Sequence, residues 1–222
     1  MVKIMEEINK LEKVSKSELE LAKSEKAIAK ELKLEVKQEL KKAKIREDLV
    51  KSEYDLAKIK DRLHQKTKKY IEKKVEIKDE LGYSEKGLSI ELNHAKFNER
   101  ESELQKAIAE IHKKIAKVEI DIAEDRLKLV NNKIKVARVR ENLAKKQDIY
   151  INLVKASATK EKINGAKLTY LAFDKDLKKA EKEVADQNRE IMKKHNELSD
   201  CKRELSLKLA EREKLRPEIQ NI

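Results

Sequence analysis

Tryptophan is absent from the 222-residue chain, and glycine, proline and cysteine occur only three, one and one times. Aromatic residues make up 3% of it. A rounded domain of this size buries many aromatics and reverses direction often, and this composition supplies neither the bulk nor the turns. There is no apolar run of about 18 residues, the length a membrane-spanning helix needs. The opening MVKIMEEINKLEKV lacks the apolar stretch of a signal peptide. Cys201 has no second cysteine with which to form a disulfide.

Recognisable reaction chemistry is missing too. His64, His94, His112 and His195 have no His, Cys or paired carboxylate at zinc-ligand spacing. Cys201 shares an apolar row with Phe173, Ala180 and Leu215, which reads as a small core residue and not as a reactive thiol. No glycine-rich phosphate loop, nucleophile elbow or catalytic triad order is present. The expectation is a protein that is not an enzyme and needs no cofactor or metal.

What the chain does contain is charge. Charged residues are 44% of it, and the formal net charge is +12. High charge with low hydropathy is also the mark of disorder, but the apolar residues are too regularly spaced for that. Leu49, Leu56, Leu63, Tyr70 and Ile77 repeat by seven, with Ile45, Ile59 and Leu81 filling in. Upstream, Val14, Leu21 and Ile28 repeat by seven, and Ile28, Leu32, Val36 and Leu40 by four. Ile108, Ile115, Ile122, Leu129, Val136, Leu143 and Tyr150 form an unbroken ladder, with Leu104, Ile111 and Val118 on the second seam. Tyr170, Leu177, Val184, Ile191, Leu198 and Leu205 form another, which Arg212 interrupts. Sustained seven-residue spacing keeps one stripe on a partner helix in a left-handed supercoil. Val130, Ala137, Ala144 and Ile151 widen the middle stripe, which predicts contact with more than one neighbour.

Two interruptions suggest where helices end. Gly82 and Gly87 lie in ELGYSEKGLSIELN, where glycine suits a left-handed C-cap and Ser84 or Ser89 suits the next N-cap. Asn164-Gly165 coincides with a one-residue change of ladder phase and reads as a turn. The competing reading is a continuous helix that tolerates the glycine at about 1 kcal/mol. Pro217 is expected to end or kink the last helix. The fold class is therefore all-α: three very long helices, about 3–81, 88–163 and 166–216. Short connections make them antiparallel. They form a single elongated coiled-coil bundle over 1–222, expected to dimerise.

Basic residues cluster at Lys58–Lys74, at Lys128–Lys146 and around the expected turn, where Lys155, Lys160, Lys162 and Lys167 face only Glu161. A solvated helix face accounts for much of the first two. Four lysines at a helical reversal make a compact cationic tip. Lysine outnumbers arginine 45 to 10. Base readout leans on arginine and single-strand binding on aromatic stacking, so nucleic acid is disfavoured as a partner. An anionic lipid surface needs only point charges.

The chain's length, three long antiparallel helices, positive charge and lysine-bearing turn resemble a BAR domain. That resemblance covers nearly the whole chain and is architectural. It implies a crescent-shaped homodimer that works peripherally on anionic membranes and senses or bends them, with Lys155, Lys160, Lys162 and Lys167 as the lipid-binding tip. The alternative is a coiled-coil structural or adaptor protein that binds other proteins without membrane contact.

Overall fold

The computed structural model describes the backbone of residues 2–77, 82 and 84–219, and side chains within 5–215 of that set. All of the regular structure there is helical: α1 (Val2–Glu76), α2 (Glu85–Lys155) and α3 (Lys160–Ile219). Lys, Glu, Leu and Ala are strong helix formers, and between the two connections the chain offers few residues that break a helix.

The first connection follows the expected chemistry. Gly82 has φ +66°, a left-handed conformation that only glycine adopts freely. Ser84 caps α2: its Oγ accepts the Gly87 N–H at 3.5 Å and its carbonyl accepts the Leu88 N–H at 3.1 Å. Ser89 and Gly87 lie inside α2. α1 ends at Glu76, short of the expected 81, and Leu81 lies outside the described residues.

The second connection corrects the sequence reading. The reversal is at residues 156–159, not at Asn164-Gly165. The Ala158 N–H reaches back to the Leu153 carbonyl at 3.0 Å, and the Ser157 N–H to the Val154 carbonyl at 3.0 Å. Ser157 has φ 52°. This bond pair around a left-handed residue is a Schellman ending, built here on serine in place of glycine. Thr159 then accepts the first bond of α3 from the Ile163 N–H at 3.1 Å. Gly165 sits a turn inside α3. Pro217 does not stop α3 at 216, since the helix runs two residues beyond it.

The chain divides into two compact units, Met1–Leu40 with Ile122–Lys193 and Lys41–Asp121 with Lys194–Ile222. Within each, α1 and α3 run antiparallel to α2. In the first, Glu12 pairs with Lys155, Lys26 with Glu141 and Glu39 with Arg126 across α1 and α2. Tyr150 of α2 packs on Tyr170 of α3 with ring centres 5.2 Å apart. In the second, Arg46 pairs with Glu119, Asp61 with Lys106 and Lys68 with Glu99, while Arg212 of α3 reaches Glu101 of α2.

The α2 and α3 ladders face inward as expected. Ile108, Ile111, Val118, Ile122, Val136, Leu143, Leu177 and Ile191 are buried, and Val130, Ala137, Ala144 and Ile151 widen the α2 face. In the first unit Val136 and Leu143 pack with Leu177 and Ala180, flanked by Tyr170, Phe173 and Val184. Cys201 is partly buried.

The α1 ladder does not behave this way. The side chains it buries in the first unit are Ile8, Ser15, Ala22, Ala29 and Val36, again spaced by seven but one residue later than Val14, Leu21 and Ile28. In the second unit they include Ala57 and Ile71, while Leu49, Leu56, Leu63 and Tyr70 are exposed. Alanine and serine thus take up much of the inward side of α1, and many of its large apolar side chains are left on the outside.

Candidate functional site

Lys155 ends α2, Lys160 begins α3, Lys162 lies in the first turn of α3 and Lys167 two turns in. The Schellman turn thus brings the four expected lysines to one end of the first unit, although the turn lies before Lys160 and not between Lys162 and Lys167. All four are exposed.

They are not equivalent. Lys155 Nζ donates to Glu12 Oε2 at 2.6 Å, and Lys16 holds the other oxygen of the same carboxylate at 3.1 Å. These two bonds, Lys155 first, hold the Glu12 carboxyl below its ordinary range. Lys160, Lys162 and Lys167 have no ion pair among the described residues. The first two also sit at the positive end of the α3 dipole, where a cation is unfavourable to the helix. Helix stability therefore does not explain them.

The other basic clusters are spent in part: among the described residues only Lys68 and Lys74 of Lys58–Lys74 are ion-paired, and four of the seven basic residues in Lys128–Lys146 are. Lys68 bonds Glu99 at 2.6 Å, and Lys74 lies 3.8 Å from Glu91 and 5.1 Å from the centre of the Tyr70 ring. Lys128 pairs with Asp125, Lys135 with Glu183 and Lys145 with Glu141. Arg140 joins all three helices of the first unit by bridging Glu25 of α1 and Glu181 of α3. Burial works against its charge, but the two carboxylates outweigh burial and hold the guanidinium firmly protonated. Lys145 and Lys26 together draw the Glu141 carboxyl down to about 2.

An open groove of about 360 Å³ in the first unit is walled by Ile28, Leu32, Val136 and Val184 beside this arginine bridge. No set of nucleophile, base and oxyanion donor converges there. Among the described residues no three His, Cys, Asp or Glu side chains are placed to hold a metal, and no helix is long and apolar enough to cross a membrane.

Sequence reasoning missed Glu12, which shares Lys155, and the cap pair Ser157 and Thr159. A threonine ahead of a helix was a visible N-cap signal. A left-handed serine gives none, since serine rarely adopts that conformation. Compared with protein-family models, curated proteins and solved structures, the chain matches none.

Proposed function

We propose that the protein is a non-enzymatic scaffold that docks on anionic membrane surfaces as a dimer, with the α2–α3 turn as its lipid contact. One observation carries this reading: Lys160, Lys162 and Lys167 are exposed and, among the described residues, unpaired within the chain, gathered beside Lys155 at the α2–α3 reversal, where the first two work against the α3 dipole. Curvature sensing or shaping follows from the architectural resemblance to BAR domains and is part of the same proposal. Each basic residue near an anionic surface contributes about 1 kcal/mol.

The test is co-sedimentation with liposomes. Wild-type protein is expected to bind vesicles containing phosphatidylserine, to ignore neutral vesicles, and to release as salt screens the charges over about 10 Å at 0.1 M. Changing Lys155, Lys160, Lys162 and Lys167 together to Glu is expected to weaken binding at least about a hundredfold, since four contacts of about 1 kcal/mol are lost. The control changes the exposed Lys96, Lys114, Lys117 and Lys202 of the second unit to Glu. Equal loss in both variants removes any special role for the turn.

The second reading, a protein-binding adaptor without membrane contact, is favoured by the exposed apolar row on α1. Wild-type protein that ignores anionic liposomes at low salt leaves that reading in place.

A further inference from the structure

In the second unit α1 carries two rows of seven-residue spacing side by side. The inward positions include Ala57, Asp61 and Ile71. The outer row places Ile45, Leu49, Leu56, Ile59, Leu63 and Tyr70 in water, each between 54% and 62% exposed. Single exposed apolar residues are ordinary, but six at steps of three, four and seven along one helix, with Ser52 and Lys66 at the skipped positions, line up as one interaction face. At about 100 Å² of apolar area each, six side chains from each of two partners would bury about 1,200 Å², the lower bound of a standard stable interface.

We propose that this row pairs with the same row of a second copy, antiparallel, about a centre between Leu56 and Ile59. The charges beside the row select this alignment. In an antiparallel pair the flanking positions meet their own kind across the seam. With Leu56 against Ile59 of the second copy, Leu63 meets Ser52, Tyr70 meets Ile45 and Leu49 meets the aliphatic stem of Lys66, whose ammonium can reach out of the seam. Glu53 then lies beside Lys60, Asp55 beside Arg62 and Asp48 beside Lys69. By symmetry each pair occurs twice, so all six contacts join opposite charges. None of these six residues has an ion pair of its own among the described residues, and all are exposed.

The alternatives bring like charges together. Sliding the second copy by seven residues in one direction sets Glu53 on Glu53, Asp55 on Asp55 and Arg46 near Lys60. Sliding it the other way sets Lys60 on Lys60 and Arg62 on Arg62. Parallel pairing stacks Lys66 on Lys66 and Lys73 on Lys73 within the seam, with Asp48 beside Glu53. Like charges so placed disfavour wrong partners and alignments. The proposal deepens the scaffold reading by naming the surface that forms its dimer, and assembly is measured without lipid, so either can fail alone.

The experiment is sedimentation of the full chain at micromolar concentration. Wild-type protein is expected to be a dimer. Asp55→Arg and Arg62→Asp, each alone, set like charges face to face twice and are expected to raise the dissociation constant at least tenfold without loss of helicity. The double variant restores opposite charges in this alignment and is expected to recover the dimer. In a parallel pair Asp55 faces Lys60 instead, and the double variant does not recover. In a Cys201→Ser background, oxidising a mixture of Ile45→Cys and Tyr70→Cys chains is expected to give the mixed cross-link, and Ile45→Cys alone is not expected to cross-link to itself. A wild-type monomer, which leaves the row to a foreign helix, overturns the proposal. So does a double variant that stays dissociated, or self-cross-linking through residue 45.

Discussion

Replacing Gly165 with alanine tests where the chain reverses. In α3 the glycine backbone is right-handed, and a Cβ placed there meets nothing within 4 Å. The substitution therefore removes only the conformational freedom that glycine gives the unfolded chain. The expected gain is about 0.5–1 kcal/mol. For a chain of this size that corresponds to a rise in Tm of about 1–4 °C. Had Asn164-Gly165 formed the turn, the glycine would hold a left-handed conformation and alanine would lower stability instead. Gly82 supplies the internal contrast: its Cβ would also meet open space, but its φ of +66° makes Gly82→Ala cost about 1–2 kcal/mol. Ser157→Gly, at φ 52°, is expected to stabilise by up to about 1 kcal/mol. The measurement is thermal melting followed by circular dichroism, with all variants at one protein concentration because an oligomer melts in a concentration-dependent way. A lower Tm for Gly165→Ala refutes the placement of the turn at 156–159.

Two further outcomes follow from packing and charge. Leu143 is 2% exposed, so Leu143→Ala opens a cavity against Leu177 and Ala180 and is expected to cost about 3 kcal/mol in urea denaturation; a loss below about 1 kcal/mol means that this cluster is not a packed core. The Glu141 carboxyl is depressed from 4.5 to about 2 by Lys145 and Lys26, so its contribution to stability is complete above pH 4.5 and disappears as the pH falls toward 2; Tm is expected to drop across that interval, and Glu141→Gln with an unchanged slope would show that the pairing does not operate.

The helices themselves were legible because seven-residue spacing on α2 and α3 reports burial directly: Leu143, Leu177 and Ile191 lie inside where the ladders put them. On α1 the spacing was equally regular but reported a different surface. Ladder counting weights large apolar residues, and there Ala22, Ala29 and Ala57 face inward while Leu49 and Leu63 face out. Turn placement failed for a related reason. Asn-Gly is a strong turn signal in isolation, but an exposed glycine is inexpensive inside a long helix, and backbone bonds around Ser157 close the Schellman ending without needing glycine. Of the candidate site, the four lysines were visible as a cluster. The commitment of Lys155 to Glu12 was not, because it joins residues 143 positions apart.

The polar side chains buried on α1 have a consequence for folding. A helix whose apolar groups recur every seven residues can slip past its neighbour by a whole repeat and still match grease to grease, so many alignments compete. Among the described residues α1 buries one polar side chain in each unit, and that side chain helps to break the tie. Ser15 is fully enclosed and donates through a single hydroxyl shared between the Ala144 carbonyl at 3.0 Å and Asp148 at 2.8 Å. Asp61, 1% exposed, is answered by Lys106 at 2.7 Å and Gln65 at 3.2 Å. Lys106 is itself held protonated chiefly by its bond to Asp61. Slip α1 against α2 by one repeat in one direction and Asp61 meets Glu99 in place of Lys106, two carboxylates together in a dry site. These residues add little to cohesion; like the notches on a vernier, they make one alignment of a repetitive pair of helices unlike all the others.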